Sequence, residues 1–418
     1  AASDVYKRQS WHRLCSNTLN IVTDAFIDHP SSDAMPISKA EPISLLNRIN
    51  RTPIEKEPLT PERLASVRIA YSARRVEREA LHMLLRGPIK PRAGDLVLAR
   101  VDRLGQHQRI ELPHGRRAQL YEGDEIIVCY GNRYAPDQFE AVVPDRVEEC
   151  HLVAGGGVAA KMLSRHSSMK RPTTLAPLGL VGDADGHRVN VADWGLPKPT
   201  PTAARPYTIA VVGTAMNAGK TTTAANLCKG LIRAGTKVGA AKITGTGAGC
   251  DRWTLVDTGA HPVLDFTDAG YASTYRVSPS QVENIMTLLC GHLVAAGAEF
   301  IVLEVADGLF QEETSRLLAS PTFTEQVDGI IFAAGDALGA LAGVEWLRRH
   351  RLPVQAVSGL LTASPLACRE AAATGLPVLS QQQLSRGEWR PDRPANGAAS
   401  QAWQTLWEDA SAVVMGLG

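Results

Sequence analysis

The sequence predicts an α/β protein in which a small antiparallel β-barrel domain precedes a C-terminal parallel sheet flanked by helices. Two patterns in the chain of 418 residues support this prediction. Beyond Arg205, nearly continuous apolar runs alternate with amphipathic segments, as expected for parallel strands covered by helices on both faces. Between Gly94 and Val143, short apolar runs are instead separated by turn residues, which is typical of antiparallel strands in a small barrel.

These patterns divide the chain into five segments. The expected segments are a disordered leader (1–60), a helix plus small β-barrel (61–150), an irregular connection and linker (151–205), the α/β domain (206–384) and a C-terminal tail with a helix (385–418). Residues 1–9 lack an initiator methionine, and we treat them as an artefact of the assembled sequence. The helix of the second segment is expected over 61–85, where charges of both signs alternate among apolar residues.

Short strands account for the barrel, and longer apolar strands account for the α/β domain. The expected barrel strands are DLVLARV, QRIELP, DEIIVCY and QFEAVV. The expected strands of the parallel sheet are YTIAVVG, KVGAAKI, EFIVLEVA, GIIFAAG, PVQAVSGLL and LPVLS. Ser278-Pro279 with Gln281 predicts a helix start, because it combines an N-cap, a proline at the first helical position and a capping-box partner. Ser364-Pro365 repeats the first two signals.

Bulk properties exclude several classes of function. Lysine and arginine total 44 against 43 acidic residues, so the net charge of +1 does not predict nucleic acid or an anionic membrane as a partner. No apolar run is long enough for a membrane span, and no secretory signal is present, so we expect a cytoplasmic protein. Seven cysteines without a CxxC pair predict reduced thiols and no structural metal.

The junction between YTIAVVG and TAMNAGKTTTAANL carries the residues of a phosphate-binding loop. A strand, a glycine-containing turn and a helix start bring backbone N–H groups and the positive helix end onto one anion. Lys220 can reach the terminal phosphates, and the Thr221 hydroxyl can coordinate magnesium. The residues expected to contact the nucleotide are Gly213, Thr214, Asn217, Ala218, Gly219, Lys220, Thr221 and Thr222. We therefore expect a P-loop nucleotide-binding domain that uses ATP, with GTP as the alternative, and Mg²⁺.

The spacing within this loop resembles that of dethiobiotin synthetase and its relatives. Thr214 stands where the first glycine of GxxxxGK[ST] is expected, and Gly213 lies one residue earlier. The segment AAKITGTG is similar to one in that family whose lysine helps to hold substrate and phosphates, which gives this role to Lys242. FIVLEVADG resembles the family's strand that ends in an acidic residue near magnesium. Either Glu304 or Asp307 could take that role, and Glu304 matches the family position better.

The resemblance extends over roughly residues 207–380 and implies further features. DALGALAGVEWLRRHRLPVQAVSGLL is similar to a late strand-helix-strand unit of the family, but Thr362 replaces the asparagine that contacts the base. The resemblance also implies a homodimer with sites near its interface. A second resemblance is to the C-terminal domain of the D-glutamate N-acetyltransferase family, over the run from Gly245 through Asp251 to VLDFTDAGYAS together with the GKTTT loop before it.

Acidic residues after the second strand supply further candidates for a magnesium or substrate site. We favour Asp251 and Asp265 as metal ligands, although aspartates in loops also cap helices and stabilise turns. A carboxylate such as Glu304 inside an apolar strand is expensive unless it is paired or bound to a metal. The metal ligands expected from the sequence are therefore Thr221, Glu304, Asp251 and Asp265.

Basic and aromatic residues in the barrel segment allow a second binding surface. Seven basic residues occur within eighteen positions and are Arg100, Arg103, His107, Arg109, His114, Arg116 and Arg117. They could bind RNA or a phosphorylated ligand, although such runs usually form solvated hairpins. The segment YGNRYAPDQFEA could recognise a small ligand or form a well-capped loop.

The leading hypothesis is an ATP- and magnesium-dependent enzyme that activates or phosphorylates a small molecule, with a carboxylate as a candidate acceptor. Lys220, Lys242 and Glu304 are the expected catalytic residues. Three alternatives stay open: a nucleotide-dependent switch or binding protein, an N-acetyltransferase-like protein that binds coenzyme A through the P-loop, and a polynucleotide kinase. The near-neutral net charge disfavours the last of these.

Overall fold

The structure is a computed structural model that describes residues 53–200, 205–389 and 391. Most of the expected leader and C-terminal tail therefore lies outside the described residues. We call residues 53–200 the β region and residues 205–389 the α/β domain. Within these ranges, no helix is both long and apolar enough to cross a membrane.

The β region contains one large mixed sheet and a separate hairpin. Its elements are β1 (Glu55–Pro58), α1 (Pro61–Ser66), β2 (Arg68–Ile69), β3 (Met83–Arg86), β4 (Leu96–Arg103), β5 (Arg109–Glu111), β6 (Arg117–Gln119), β7 (Glu125–Tyr130), β8 (Arg133–Tyr134), β9 (Phe139–Val142), β10 (Cys150–Ala154), β11 (Val158–Arg165) and β12 (Thr173–Gly182). The large sheet has the order β1-β3-β12-β4-β7-β11-β9-β8, with β10 between β11 and β12 and β2 beside β7. The β2–β7 and β7–β11 pairs are parallel, so the sheet is mixed and not the antiparallel arrangement that was expected.

Two other expectations for this region were wrong. The expected helix over 61–85 is replaced by the short α-helix α1 and two 3-10 turns, Tyr71–Ala73 and Arg78–Ala80, because the chain turns into β2 at Arg68 and into β3 at Met83. The stretch after residue 150, expected to be irregular, contains β10, β11 and β12, which pair with the earlier strands. Long-range pairing overrides the local helical pattern here, because β3 gains partners on both sides.

The α/β domain has the alternation of strands and helices that the sequence predicts. Its strands are β13 (Tyr207–Gly213), β14 (Val238–Lys242), β15 (Val263–Asp265), β16 (Phe300–Glu304), β17 (Gly329–Ala333) and β18 (Val354–Ser358). Its α-helices are α2 (Lys220–Arg233), α3 (Cys250–Val256), α4 (Pro279–Ala295), α5 (Glu312–Leu318), α6 (Pro321–Gln326), α7 (Ala337–Arg349), α8 (Pro365–Ala371) and α9 (Gln381–Arg386). The strand order is β15-β14-β16-β13-β17-β18, and every pair is parallel, as predicted. The expected strand LPVLS forms only an isolated bridge between Val378 and Val357, and β15 was not predicted.

Helices cover both faces of this parallel sheet. One apolar cluster joins α4 and α7 to one face, and the other joins α2 and α9 to the opposite face. The predicted helix starts are confirmed: Ser278 caps α4 with a capping box to Gln281, and the Ser364 side chain accepts from the Ala367 backbone N–H at the start of α8. Since all strands are parallel, their carboxyl ends meet at one edge, where ligand sites are expected in such sheets.

Candidate functional site

The predicted phosphate loop connects β13 to α2 at the carboxyl edge of the sheet. The strand ends at Gly213, and the helix begins at Lys220. Gly219 has a φ of 93°, and a Cβ added to it would lie 3.0 Å from the backbone nitrogen of Leu360. Both the left-handed backbone and the close approach of another chain segment favour glycine at this position. Residues 213–222 connect a strand to a helix start through a glycine-containing turn, which is the arrangement of a P-loop, and we use that name for them.

Lys220 is held against the backbone of the P-loop. Its side chain is buried, and Nζ donates a hydrogen bond to the carbonyl oxygen of Ala215 at 2.6 Å. Burial lowers the pKa of Lys220, while the nearby carboxylates of Glu304 and Asp307 act in the opposite direction. A lysine held over such a loop can contact the terminal phosphates of a nucleotide.

Thr221, Lys242, Asp251 and Glu304 form a polar cluster beside the P-loop. The Thr221 hydroxyl lies 2.8 Å from Oε1 of Glu304 and 3.2 Å from Oδ1 of Asp251. Lys242 contacts the Asp251 carboxylate and lies 3.4 Å from Oε1 of Glu304. Lys242 and Glu304 are direct partners in the register of β14 and β16, so the sheet itself places them side by side. The structure thus brings together residues that the sequence proposed separately.

The electrostatics of the two carboxylates differ. Burial raises the pKa of Glu304, and the positive charge of Lys242 offsets this only in part. Burial also acts to raise the pKa of Asp251, but Lys242 and the Thr221 hydroxyl outweigh it, so that this pKa lies below its ordinary value. Oε2 of Glu304 is buried and has no hydrogen-bond partner among the described residues.

The donor set of this cluster fits a magnesium ion. One hydroxyl and two carboxylates are hard oxygen ligands of the kind that Mg²⁺ prefers. An unpartnered buried oxygen such as Oε2 of Glu304 is costly in a folded protein, and a bound cation would satisfy it. Thr221, Asp251 and Glu304 are therefore the residues that could hold the ion.

Asp265 does not join this cluster, contrary to its assignment as a metal ligand. It lies at the end of β15, and both of its carboxylate oxygens accept hydrogen bonds from other side chains. Tyr71 donates to Oδ2, and Arg74 donates to Oδ1 at 3.2 Å. The backbone N–H of Thr267 also donates to Oδ1, at 2.8 Å. Asp265 therefore anchors the β region to the α/β domain, and its oxygens are occupied by these donors.

A second anchor positions the helix that carries Asp251. Glu111 of β5 accepts hydrogen bonds from the backbone N–H of Gly249 at 2.8 Å and from Nε1 of Trp253 at 3.1 Å. These two residues lie just before and within α3, which begins at Cys250. The β region thereby fixes the orientation of α3 and, through it, the position of Asp251.

The P-loop opens onto a cleft of about 910 Å³ between the α/β domain and the β region. The side formed by the α/β domain is lined by Lys220, Thr221, Lys242, Asp251 and Glu304. Side chains of the opposite wall come from the β region and include His107, Arg109, Arg117, Arg133, Tyr134 and Gln138. The cleft is therefore bordered by acidic and basic groups on one wall and mainly by basic and polar groups on the other.

Two cleft residues, Arg133 and His107, had no assigned role at this site in the sequence analysis. They belong to segments that were noted only as possible ligand contacts, because nothing local shows that they face a loop roughly 80 to 115 residues later in the chain. Asp307 was the second choice for magnesium. It has a φ of 64°, a strained conformation for a residue other than glycine, and such conformations cluster at functional sites.

Comparisons with known proteins found similarities among solved structures. No family model and no curated protein matches the chain. Among solved structures, the signal recognition particle 54 kDa protein of Aeropyrum pernix K1 in complex with GDP is 22% identical, with a TM-score of 0.33 and 51% of each chain covered. The receptor FtsY of Elizabethkingia anophelis in complex with GDP is 17% identical, with a TM-score of 0.29 over 45% of this chain and 53% of that one. FtsY of Thermotoga maritima is 16% identical, with a TM-score of 0.33 over 49% of this chain and 70% of that one.

The chain spans about half the length of the first two of these structures. At these TM-scores the similarities carry no argument about function, and the assignment of the P-loop rests on its own geometry. The matches named above include neither a dethiobiotin synthetase nor a D-glutamate N-acetyltransferase, so those two relationships stay hypotheses.

Proposed function

We propose that the chain is an enzyme that uses ATP and Mg²⁺ to phosphorylate a small molecule held in the cleft. One observation carries this proposal: the P-loop and the cluster of oxygen ligands line a single cleft, and this cleft extends beyond them to the β region. Its volume of about 910 Å³ is at the upper end of the range of about 300–1,000 Å³ for ligand pockets. A nucleotide on the P-loop therefore leaves the wall of the β region available for an acceptor.

Each residue of the polar cluster has a role in this reaction. Lys220 and Lys242 stabilise negative charge on the phosphoryl group that is transferred. Thr221, Asp251 and Glu304 hold the magnesium ion. When bound, that ion supplies further charge neutralisation at the phosphates. Glu111 acts indirectly, because its hydrogen bonds fix the start of the helix that carries Asp251.

Asp307 is the candidate base of the reaction. Burial raises its pKa, and the positive charges of Lys220 and Lys242 oppose that shift. In the transfer, an acceptor oxygen attacks the γ-phosphorus, the bond from that phosphorus to the bridging oxygen breaks, and ADP leaves with that oxygen. Where the acceptor is a hydroxyl or a water molecule, its proton needs a base, and Asp307 lines the cleft three residues after the end of β16.

Ligand binding can identify the nucleotide and can distinguish the proposed function from its alternatives. The Thr362 hydroxyl donates to the carbonyl oxygen of Gly359 at 2.8 Å, so this candidate for base recognition is engaged with its own backbone. We therefore compare ATP, GTP and acetyl-coenzyme A, with and without Mg²⁺, as stabilisers of the folded protein. Protection by ATP or GTP that depends on Mg²⁺ supports the proposal. Protection by acetyl-coenzyme A alone would favour the acyl-transfer alternative.

The direct test replaces Lys220 by alanine. We expect Lys220→Ala to lower ADP formation at least about 100-fold, because it removes a cation that stabilises the transferred phosphoryl group. The matched control is Lys237→Ala, since Lys237 is exposed and lies before the opposite, amino end of β14. Both variants should retain the far-ultraviolet circular dichroism of the original chain. Undiminished ADP formation by Lys220→Ala would refute the proposal.

A further inference from the structure

Arg133 is a buried cation on the cleft wall that the β region forms. It lies on β8, its exposure is 6%, and it lines the same cleft as Lys220. Across the described ranges, no aspartate or glutamate forms an ion pair with its guanidinium, and its Nε has no hydrogen-bond partner. A buried charge without a counter-ion is expensive, so an arginine kept in this state needs a further explanation.

Among the residues that the structure describes, most N–H groups of Arg133 have no acceptor. Nη2 donates to Oε1 of Gln138 at 2.7 Å. Nη1 lies 3.4 Å from Nε2 of His107, but that nitrogen is also 3.0 Å from the carbonyl oxygen of Val153. Because a carbonyl can only accept, Nε2 of His107 must carry the hydrogen and cannot accept one from Arg133. Of the five guanidinium N–H donors, one therefore has a good acceptor.

The surroundings of Arg133 leave a single positive charge at this position. Burial and the charge of Arg133 lower the pKa of His107 to about 4, so this imidazole is neutral at neutral pH. Burial lowers the pKa of Arg133 only to about 10, so the guanidinium stays protonated. Asp307 is the carboxylate that acts on Arg133 electrostatically, but the two do not form an ion pair.

The Arg133 position adjoins the P-loop. Gln138 follows Asp137, whose Oδ2 accepts a hydrogen bond from Nδ2 of Asn217 at 2.6 Å. The segment that orients the guanidinium therefore touches the P-loop directly. Arg133 and the P-loop residues Gly219 and Lys220 line the same cleft.

We propose that Arg133 binds a carboxylate of the small-molecule acceptor and is the residue that selects an anionic substrate. The planar N–H fork of arginine matches a carboxylate in two parallel hydrogen bonds. Beside the neutral His107, Arg133 supplies one positive charge, which one carboxylate can balance, and methyl phosphate tests whether a phosphate binds there instead. That the bound molecule accepts the phosphoryl group rests on the proposed function. The carboxylate site itself rests on the contacts of Arg133.

The first test measures the stability of the ligand-free protein. In Arg133→Met, the methionine fills similar space without a buried charge, so the melting temperature should fall by no more than about 2 °C. The control Arg146→Met removes an exposed arginine of the same region that does not line the cleft. If the melting temperature of Arg133→Met falls by more than this limit, Arg133 serves mainly to stabilise the fold, and the proposal is overturned.

The second test measures anion binding with ADP and Mg²⁺ present to occupy the P-loop. The probes are acetate, succinate and citrate, with succinamide as the neutral analogue and methyl phosphate as the phosphate analogue, all at constant ionic strength. At least one carboxylate should raise the melting temperature, and succinamide should not. Arg133→Met should raise the concentration needed for half of this effect by about 10- to 100-fold, as expected for loss of hydrogen bonds to a charged group. Arg133→Lys keeps the charge and should lose less.

Three outcomes overturn the carboxylate site: no protection by any of the three carboxylates, equal protection in Arg133→Met, or protection by methyl phosphate that depends on Arg133 and exceeds that of the carboxylates. The same samples report separately on the proposed function. Protection by ADP and Mg²⁺ should be equal in the original chain and in Arg133→Met. If ADP and Mg²⁺ do not stabilise the protein but a carboxylate does, the proposed function is refuted and the carboxylate site is supported.

Discussion

Replacing Asp265 by asparagine separates an anchoring role from a metal-binding role. The asparagine side chain would keep the volume of the aspartate but lose the charge that faces Arg74, whose side chain is only 9% exposed. Breaking a buried ion pair costs about 3–5 kcal/mol. Arg74 would keep Asp268, whose Oδ2 is 2.7 Å away, so we expect the lower end of that range, about 3 kcal/mol of unfolding free energy.

The assay is urea-induced unfolding followed by tryptophan fluorescence, with a double-mutant cycle. Arg74→Met should also be destabilising, and the Asp265→Asn, Arg74→Met double variant should lose less than the sum of the single losses. A coupling of about 0.5–3 kcal/mol is expected for residues in contact. Nucleotide binding in the presence of Mg²⁺ should stay within a few-fold of the original chain, since Asp265 does not contact the polar cluster.

The pH dependence of stability provides a second check on Asp265. Burial raises the pKa of Asp265, but Arg74, Thr267 and Tyr71 outweigh it, so the pKa lies below the ordinary value of 3.8. The stabilisation is therefore fully present above that value and is lost as the pH falls through the folded-state pKa. The stability difference between the original chain and Asp265→Asn should narrow in that acidic range. A stable Asp265→Asn variant that fails to bind nucleotide with Mg²⁺ would refute the anchoring role and restore the metal-ligand assignment.

Two further predictions concern the acidic residues of the cleft. Glu304→Gln should weaken Mg²⁺-dependent nucleotide binding at least about tenfold, because it removes a charged ligand, while Glu312→Gln, an exposed change on α5, should not. Isothermal titration with and without Mg²⁺ measures this difference, and equal loss without the ion would argue against a metal role for Glu304. Asp307→Asn should slow basal ATP hydrolysis about 100-fold or more, because asparagine cannot take the proton of the attacking water. Steady-state rates test this, and an unchanged kcat would show that Asp307 is not the base.

Local signals in the sequence were sufficient for the α/β domain and for the P-loop. The apolar strands, the glycine before Lys220 and the serine-proline helix starts each act over a few residues, and the parallel sheet with its two helix-covered faces follows from their repetition. The acidic residue at the end of the strand, Glu304, was likewise identifiable, because a carboxylate in an apolar run is costly without a partner. The strands, the parallel sheet and the helix starts were predicted correctly, because short segments of the chain determine them, whereas the role of Glu304 stays a prediction.

The remaining features depend on residues that are far apart in the chain. Asp265 lies 191 positions from Arg74, and only folding shows that its carboxylate is taken by that arginine and by Tyr71. The strands after residue 150 were missed because their partners are supplied by earlier strands, including β4 and β7. Arg133 became a candidate only when the structure placed it on the cleft, buried and without an ion pair to any described residue. Burial and charge pairing depend on the tertiary structure. The sequence therefore indicated these residues as candidates but did not predict which residues they contact.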